Sequence, residues 1–385
     1  MIIEPKIRDF ICTTAHPTGC MEHVKQEIAY TKQQGTLEGP KKVLIIGSSA
    51  GYGLSSRIAA TYTYGADTIG VMFEKPSNGR RTATAGYYNT VAFENQARSD
   101  GYYAETINGD AFSKEIKNET IEKIKQDLGT IDMVIYSLAA PRRTLEDGTT
   151  FCSALKAIDE PFTNKSLNLR TNEVVMASIP VATEEEIQST VKVMGGEDWQ
   201  EWITALYEAG VMSEHVLTIA YSYIGPQLTY PVYYEGTIGT AKKHLYQTAN
   251  CLNETWKEKG LTAYISVNKA LVTQSSAAIP IVPLYMALLY QVMKEKGTHE
   301  GCIEQINRLF HEKLNGDPIV DNDGMIRLDD LELQEDVQNE IMKRWDIVTT
   351  ENVKELADIA GYWEDFYHIF GFGFDAVDYS CDVEL

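Results

Sequence analysis

No stretch of this sequence approaches the roughly 18 consecutive apolar residues of a membrane-spanning helix, so no transmembrane segment is expected. The opening residues, MIIEPKIRDFICTTAHP, lack a basic stretch leading into an apolar one, which argues against a secretory leader. Cysteine is sparse: Cys12, Cys20, Cys152, Cys251, Cys302 and Cys381 lie far apart with no C-x-x-C among them. That pattern points to neither a zinc site nor a disulfide framework, and reduced thiols in the cytoplasm are expected. The 7 histidines form no H-E-x-x-H or similar motif, so no metal is expected. Positive charge is short as well. Against 55 Asp and Glu stand 34 Lys and Arg, a formal net charge of -21. Nucleic acid is therefore an unfavourable partner, because phosphate backbones bind clustered Lys and Arg. A polyanionic ligand would need a local basic patch.

What is present is globular in composition, with 44% hydrophobic and 23% charged residues over 385 positions. CMEHVKQEIAYTKQQ (20–34) has Met21, Val24 and Ile28 at helical spacing and stops at Gly35, a helix ahead of the main body. KKVLIIG (41–47) then reads as a buried strand, GSSAGYG (47–53) as a glycine turn and LSSRIAATYTYG (54–65) as a helix. Strand DTIGVMF, a helix near 86–99, strand YYAETIN, helix SKEIKNETIEKIKQDLG and strand IDMVIYSLA continue the alternation. After a gap at 140–195 come helix EDWQEWITALYEAG, strand HVLTIAYSYIG, helix GTIGTAKKHLYQTANCLNETWKEKG and strand TAYISVNKALVT.

This run of βαβ units predicts an α/β fold, a Rossmann-like doubly wound parallel sheet. Residues 149–181 are strand-like, with turn residues around Pro161 to Asn164, and fall where the fourth strand ends. Ligands bind at the carboxyl ends of such strands, so this insertion is placed to act as a strand-rich substrate lid or is an edge hairpin without a role. From 283 onward the pattern is mainly amphipathic helix, extra C-terminal helices whose Met and aromatic residues serve the core. The expected layout is one domain over 1–385. It divides into an N-terminal extension (1–40), a dinucleotide-binding half (41–148), the insertion (149–181), a second half of the sheet (182–282) and the helical part (283–385).

GSSAGYG places Gly47, Gly51 and Gly53 between strand and helix, where glycine lets the backbone approach a pyrophosphate and the helix N-terminus offers unpaired N–H groups. The next strand ends at Phe73-Glu74, about 20 residues beyond, where an acid can bond ribose hydroxyls and would repel a 2′-phosphate. That favours NADH. Lys75, Arg80 and Arg81 just downstream either fold back to neutralise such a phosphate or form a solvated basic loop. Asp110-Ala111 and Leu138-Ala139 fall at the same sheet end. The stretch YYEGTIGTAK sets Tyr233 ahead of Lys242 with eight residues between. Among 22 tyrosines that spacing alone is weak, and context decides. A tyrosine, with a pKa of about 10, becomes a ready acid only beside a cation, and an ammonium can also hold a nicotinamide ribose.

Together with RDFICTTAHPTGC, GYGLSSRIA, SLAAPRR, VMGGEDWQEW, AYSYIG, NKALVTQSSAAIP and VMKEKGTHEGCIEQ, that stretch resembles the trans-2-enoyl thioester reductases of the FabV/TER type, large relatives of the short-chain dehydrogenase/reductases. The likeness spans nearly the whole chain. It implies a nucleotide wall at Gly47, Ser48, Ser49, Ala50, Gly51 and Tyr52 with Phe73, Glu74, Asp110, Ala111, Leu138 and Ala139. It implies a proton-donating Tyr233, a Lys242 that serves both nicotinamide ribose and Tyr233, a substrate tyrosine at Tyr223, and a last cofactor stretch at Leu271, Val272 and Thr273. The implied reaction is NADH-dependent reduction of trans-2-enoyl-CoA or enoyl-acyl-carrier-protein, with Tyr233 and nearby Tyr223 stabilising the thioester oxygen. Tyr234 stands where carrier-protein-acting members have tryptophan, which inclines the expectation to CoA. Ordinary short-chain reductases space the tyrosine and lysine by three residues, so a carbonyl reductase is the remoter alternative. A nucleotide-sensing module without turnover would tend to lose one of the two residues. Arg142 and Arg143 are open to two readings, a contact to a CoA or phosphopantetheine phosphate or a structural salt bridge. A monomer is expected, with a homodimer as the alternative.

Overall fold

The computed structural model describes residues 1–8, 11–273, 276 and 281–384. Asp9-Phe10 of the first quoted stretch and most of QSSAAIP in NKALVTQSSAAIP lie outside them. In chain order the elements begin with β1 (Ile7–Arg8), β2 (Ile11–Cys12), α1 (Pro17–Gln34), β3 (Lys42–Ile46), α2 (Gly51–Tyr64), β4 (Asp67–Met72), α3 (Ala85–Ser99), β5 (Ala104–Asn108), α4 (Lys114–Asp127) and β6 (Ile131–Tyr136). The middle carries β7 (Arg142–Thr144), β8 (Thr150–Cys152), β9 (Phe162–Asn168), β10 (Glu173–Ile179), α5 (Glu184–Met194), α6 (Glu197–Glu208), β11 (Met212–Ser222), α7 (Thr237–Thr255) and β12 (Thr262–Val267). The last part holds α8 (Val282–Lys296), α9 (Cys302–Arg308), β13 (Ile326–Arg327), α10 (Glu335–Ile347), α11 (Val353–Leu356) and α12 (Ile359–Ile369).

Seven of these strands form one sheet in the order β13-β12-β11-β6-β3-β4-β5, every pair parallel. The strand order reverses between β3 and β6, which opens a crevice at their carboxyl ends. KVLII and IDMVIY are near-continuous apolar runs because helices cover both faces, leaving Val43 to Ile46 and Met133 to Ile135 with no exposed surface. The doubly wound parallel sheet expected from the βαβ alternation is present. β13 adds a seventh strand inside a part expected to be helical: its two residues pair with Ser266 and Val267, too short a strand to show any periodicity.

Two further differences lie in the gap at 140–195. Helix α5 was not expected there, although Thr183 and Glu186 close a reciprocal capping box at its start. In the insertion, Asn164 sits within β9, and the chain reverses beyond Asn168, where Asn172 takes a left-handed φ of 56°. Asparagine enters that conformation more readily than most residues other than glycine. The β9–β10 hairpin buries Leu167, Leu169 and Ile179 in the cluster that holds α8, and Lys165 Nζ donates to the Trp345 carbonyl at 2.6 Å and the Val348 carbonyl at 3.3 Å. Helix α8 is apolar and buried on every side from Val282 to Tyr290, because α10, α12 and β9 enclose it. Among the described residues no helix is long and apolar enough to cross a membrane.

Candidate active site

At the crevice, β3 runs into Gly47 with φ 84°. A Cβ at Gly47 would collide with the Ser137 carbonyl, and one at Gly53 would collide with the Gly47 carbonyl, so the turn depends on backbone touching backbone. Helix α2 then opens at Gly51 behind Ala50, which provides no side-chain cap. Its first-turn N–H groups therefore have no intrahelical partner and carry the positive end of the helix dipole. Beside them, Ser49 Oγ donates to Glu74 Oε1 at 2.7 Å. The Glu74 backbone is clamped by Asn108, which accepts from its N–H at 2.9 Å and donates to its carbonyl at 2.9 Å. Lys75, Arg80 and Arg81 are exposed on a loop turned by Asn78, whose Oδ1 accepts the N–H groups of Arg80 and Arg81. This loop does not line the cavity.

That cavity, about 430 Å³, is lined by Gly47, Ser49, Ala50, Gly51, Tyr52, Phe73, Glu74, Ala111, Leu138 and Ala139. Tyr223, Tyr233, Lys242, Leu271 and Thr273 line the same cavity, Thr273 beside Gly51. Three expected contact residues are not part of this lining. Ser48 is buried with its Oγ donating to the Val71 carbonyl at 3.3 Å, Asp110 Oδ1 accepts the Phe112 N–H at 3.0 Å, and Val272 donates its N–H to the Tyr290 hydroxyl at 3.0 Å. No residue of 149–181 lines the cavity. Tyr221 of AYSYIG and Asn268 and Lys269 of NKALVTQSSAAIP, to which no site role was given, do line it, as does Met286, which no quoted motif covers.

The neighbouring tyrosines diverge. Tyr233 is 6% exposed, and the Tyr223 ring stands edge-on to it at 4.7 Å and 82°. Tyr234 is 39% exposed, near Tyr230 and beneath the Lys243 ammonium at 4.9 Å. Lys242, in the second turn of α7, donates to the Tyr221 carbonyl at 3.0 Å, and burial lowers its pKa to about 8. Among the described residues no hydrogen bond joins Lys242 to Tyr233. Tyr233 is not made more acidic here: burial first, then the charge of Glu332, push its pKa above the ordinary value. The ammonium is directed to the end of β11 instead.

Lys269 is a second buried lysine, also lowered to about 8 by burial, with Nζ donating to the Ala270 carbonyl at 3.1 Å. Tyr52 donates to the Lys269 carbonyl at 3.0 Å and so ties the glycine turn to the loop after β12. Arg143 resolves its two readings: it is 2% exposed and bonds Glu197 at 3.0 Å and Glu201 at 2.7 Å, a structural salt bridge. Arg142 is exposed on β7.

A glycine turn at the reversal of a parallel sheet, an uncapped helix start and an acid at the end of the second strand fit a dinucleotide, and define a Rossmann-type nucleotide-binding enzyme fold. Family models cover nearly all of the chain: the NAD(P)H binding domain of trans-2-enoyl-CoA reductase over residues 2–79, the trans-2-enoyl-CoA reductase catalytic region over 81–315 and an enoyl reductase FAD binding domain over 320–383. The chain belongs to the trans-2-enoyl-CoA reductase family. It is 54% identical over 386 residues to an enoyl-[acyl-carrier-protein] reductase [NADH] of Flavobacterium johnsoniae, covering 100% of this chain and 98% of the relative. To a trans-2-enoyl-CoA reductase [NADH] of Ruminiclostridium cellulolyticum it is 51% identical, with the same coverage. Crystal structures of trans-2-enoyl-CoA reductases superpose closely. That of Clostridium acetobutulicum in complex with NADH gives a TM-score of 0.97 at 45% identity, and that of Treponema denticola in complex with NAD gives 0.96 at 47%, each covering 100% of this chain and 98% of the other.

The third family description mentions FAD. Residues 320–383 here direct Val337, Ile341, Trp345, Tyr362 and Phe366 into the core around α8, and none of them lines the cavity. Those five side chains are taken up by packing and leave nothing to hold a flavin in that cavity.

Proposed function

We propose that this chain reduces the C2=C3 double bond of trans-2-enoyl thioesters to the saturated acyl thioester with NADH, as a step of fatty acid synthesis. One observation carries the reading: Glu74 and the glycine turn line the same cavity as Tyr223, Tyr233 and Lys242. Bound NADH supplies the hydride taken up at C3. The α2 N-terminus and the glycine turn hold pyrophosphate, Glu74 accepts from the adenosine ribose hydroxyls, and Lys242 orients the second ribose. As negative charge builds on the thioester oxygen, the Tyr233 hydroxyl donates to it and is the source of a proton while C2 takes one up. Burial makes the Tyr233 hydroxyl a weaker acid than a free tyrosine, so in this arrangement it serves the oxygen first as a hydrogen-bond donor. The β9–β10 hairpin acts at one remove, bracing α8, from which Met286 enters the cavity wall.

CoA is the proposed thiol carrier on the basis of Tyr234, since the names of the relatives divide between CoA and carrier protein. The cytoplasm is the proposed compartment and a monomer the proposed state. Steady-state kinetics with crotonyl-CoA and crotonyl carrier protein, each with NADH and NADPH, test the reading. The expected result is NADH-dependent formation of butyryl-CoA, with NADPH gaining relative to NADH in Glu74→Ala. No consumption of NADH with either thioester would remove it.

A further inference from the structure

Behind the tyrosine wall of the cavity lies a carboxylate that no motif singles out. Glu332 follows β13 and has no exposed surface. Its Oε1 accepts the Tyr285 hydroxyl at 2.6 Å and the Tyr223 hydroxyl at 3.1 Å, while its Oε2 accepts the Ala270 N–H at 2.7 Å. Gln338 braces the group, with Nε2 donating to the Glu332 carbonyl at 2.7 Å and to the Tyr285 oxygen at 3.2 Å. One side chain thus joins the loop after β11, the loop after β12 and helix α8. Tyr223 and Ala270 both line the cavity.

A buried carboxylate is tolerated only when its oxygens are bonded, and both are. Burial raises its pKa, against the hydrogen bonds from Tyr285 and Ala270 and the charge of Lys269. An ionised carboxylate can only accept, and a tyrosine hydroxyl has one hydrogen to give. With that hydrogen directed to Glu332, the Tyr223 oxygen has only lone pairs for any other partner. Tyr223 therefore cannot donate to a thioester oxygen in this arrangement, which revises the expectation that it shares that task with Tyr233.

Resting on the reductase reading above, we propose that Glu332 is a positioning residue for the reduction: it takes up the Tyr223 hydroxyl hydrogen, fixes that ring edge-on to Tyr233, and leaves Tyr233 as the hydroxyl that donates to the thioester. A glutamine has one acceptor oxygen for donors on both sides, so with that oxygen turned to the Ala270 N–H its NH2 group faces the tyrosines, which frees the Tyr223 hydrogen to compete for the thioester oxygen and loosens the ring that holds Tyr233. The loss therefore passes through Tyr223, and this separates positioning from general support of the fold.

The test is a double-mutant cycle on the full chain with crotonyl-CoA and NADH, combined with NADH binding by fluorescence and thermal melting. Glu332→Gln is expected to lower kcat by about 10- to 100-fold with NADH affinity kept, and Glu332→Asp to recover part of that loss. In a Tyr223→Phe background the Glu332→Gln change is expected to add almost nothing, because interacting residues are non-additive. Wild-type kcat in Glu332→Gln, or a double mutant slowed by the product of the two single factors, would overturn the proposal. Should Glu332→Gln fail to fold, Tyr285→Phe carries the test. It removes one donor without touching the cavity wall, and is expected to lower kcat several-fold, again only when Tyr223 is present; an unchanged kcat, or a loss that multiplies with Tyr223→Phe, would overturn it. Wild-type enzyme inactive on both crotonyl-CoA and crotonyl carrier protein would remove the reductase reading itself, whereas active wild type beside fully active Glu332→Gln removes only the role of Glu332.

Discussion

A lysine in water keeps its proton to a pH of about 10.4. Burial lowers Lys242 to about 8, so the unliganded enzyme loses this ammonium as pH rises through about 8. If Lys242 holds the nicotinamide ribose as a charged donor, kcat/KM for NADH, which reports the free enzyme, should decline above that pH. In Lys242→Met, kcat/KM for NADH should already be low at pH 7 and show no such decline. A decline that survives in Lys242→Met would transfer the titration to Lys269, the other buried lysine lowered to about 8. The residue scale also explains why the tyrosine-lysine pairing read from YYEGTIGTAK is only half realised. Both residues reach the cavity, but the fate of the ammonium depends on the Tyr221 carbonyl at 3.0 Å, a contact that spacing along the chain does not encode.

Among the elements, the strand-turn-helix from β3 to α2 is the most constrained. Gly53→Ala should shift the start of α2, because its Cβ collides with the Gly47 carbonyl. NADH affinity is expected to fall by about 10-fold or more, an order of magnitude per 1.4 kcal/mol, with the far-ultraviolet circular dichroism little changed. NADH affinity equal to wild type by titration would contradict this view of the turn. The same element was readable in the sequence because its signals are local: a strand buried on both faces, glycines where no Cβ fits, and an acid at a fixed distance. Helix α5 was also encoded locally, by the Thr183 and Glu186 capping box, and could have been found there. β13 could not, since a strand of two residues exists only through its pairing with Ser266 and Val267. Glu332 falls in the acid-rich stretch LDDLELQED, where nothing separates the buried carboxylates of Asp329 and Glu332 from the exposed Glu335 and Asp336 until Tyr223, Tyr285 and Ala270 are brought to Glu332.

At the scale of the whole molecule, a net charge of -21 acts against a CoA thioester that is itself anionic. Raising salt from about 10 mM to about 150 mM shortens the screening length from about 30 Å to about 8 Å, so kcat/KM for crotonyl-CoA should rise over that range. A fall instead would mean that a basic patch near the cavity outweighs the overall charge. The central claim is that Tyr233 donates to the thioester while Tyr234, its neighbour in the chain, faces elsewhere. The most direct measurement is kcat for Tyr233→Phe and Tyr234→Phe, side by side, at saturating crotonyl-CoA and NADH. A drop of about 10²- to 10⁴-fold for Tyr233→Phe with NADH binding intact, and a rate near wild type for Tyr234→Phe, is the predicted result. A dead Tyr234→Phe beside an active Tyr233→Phe would contradict it.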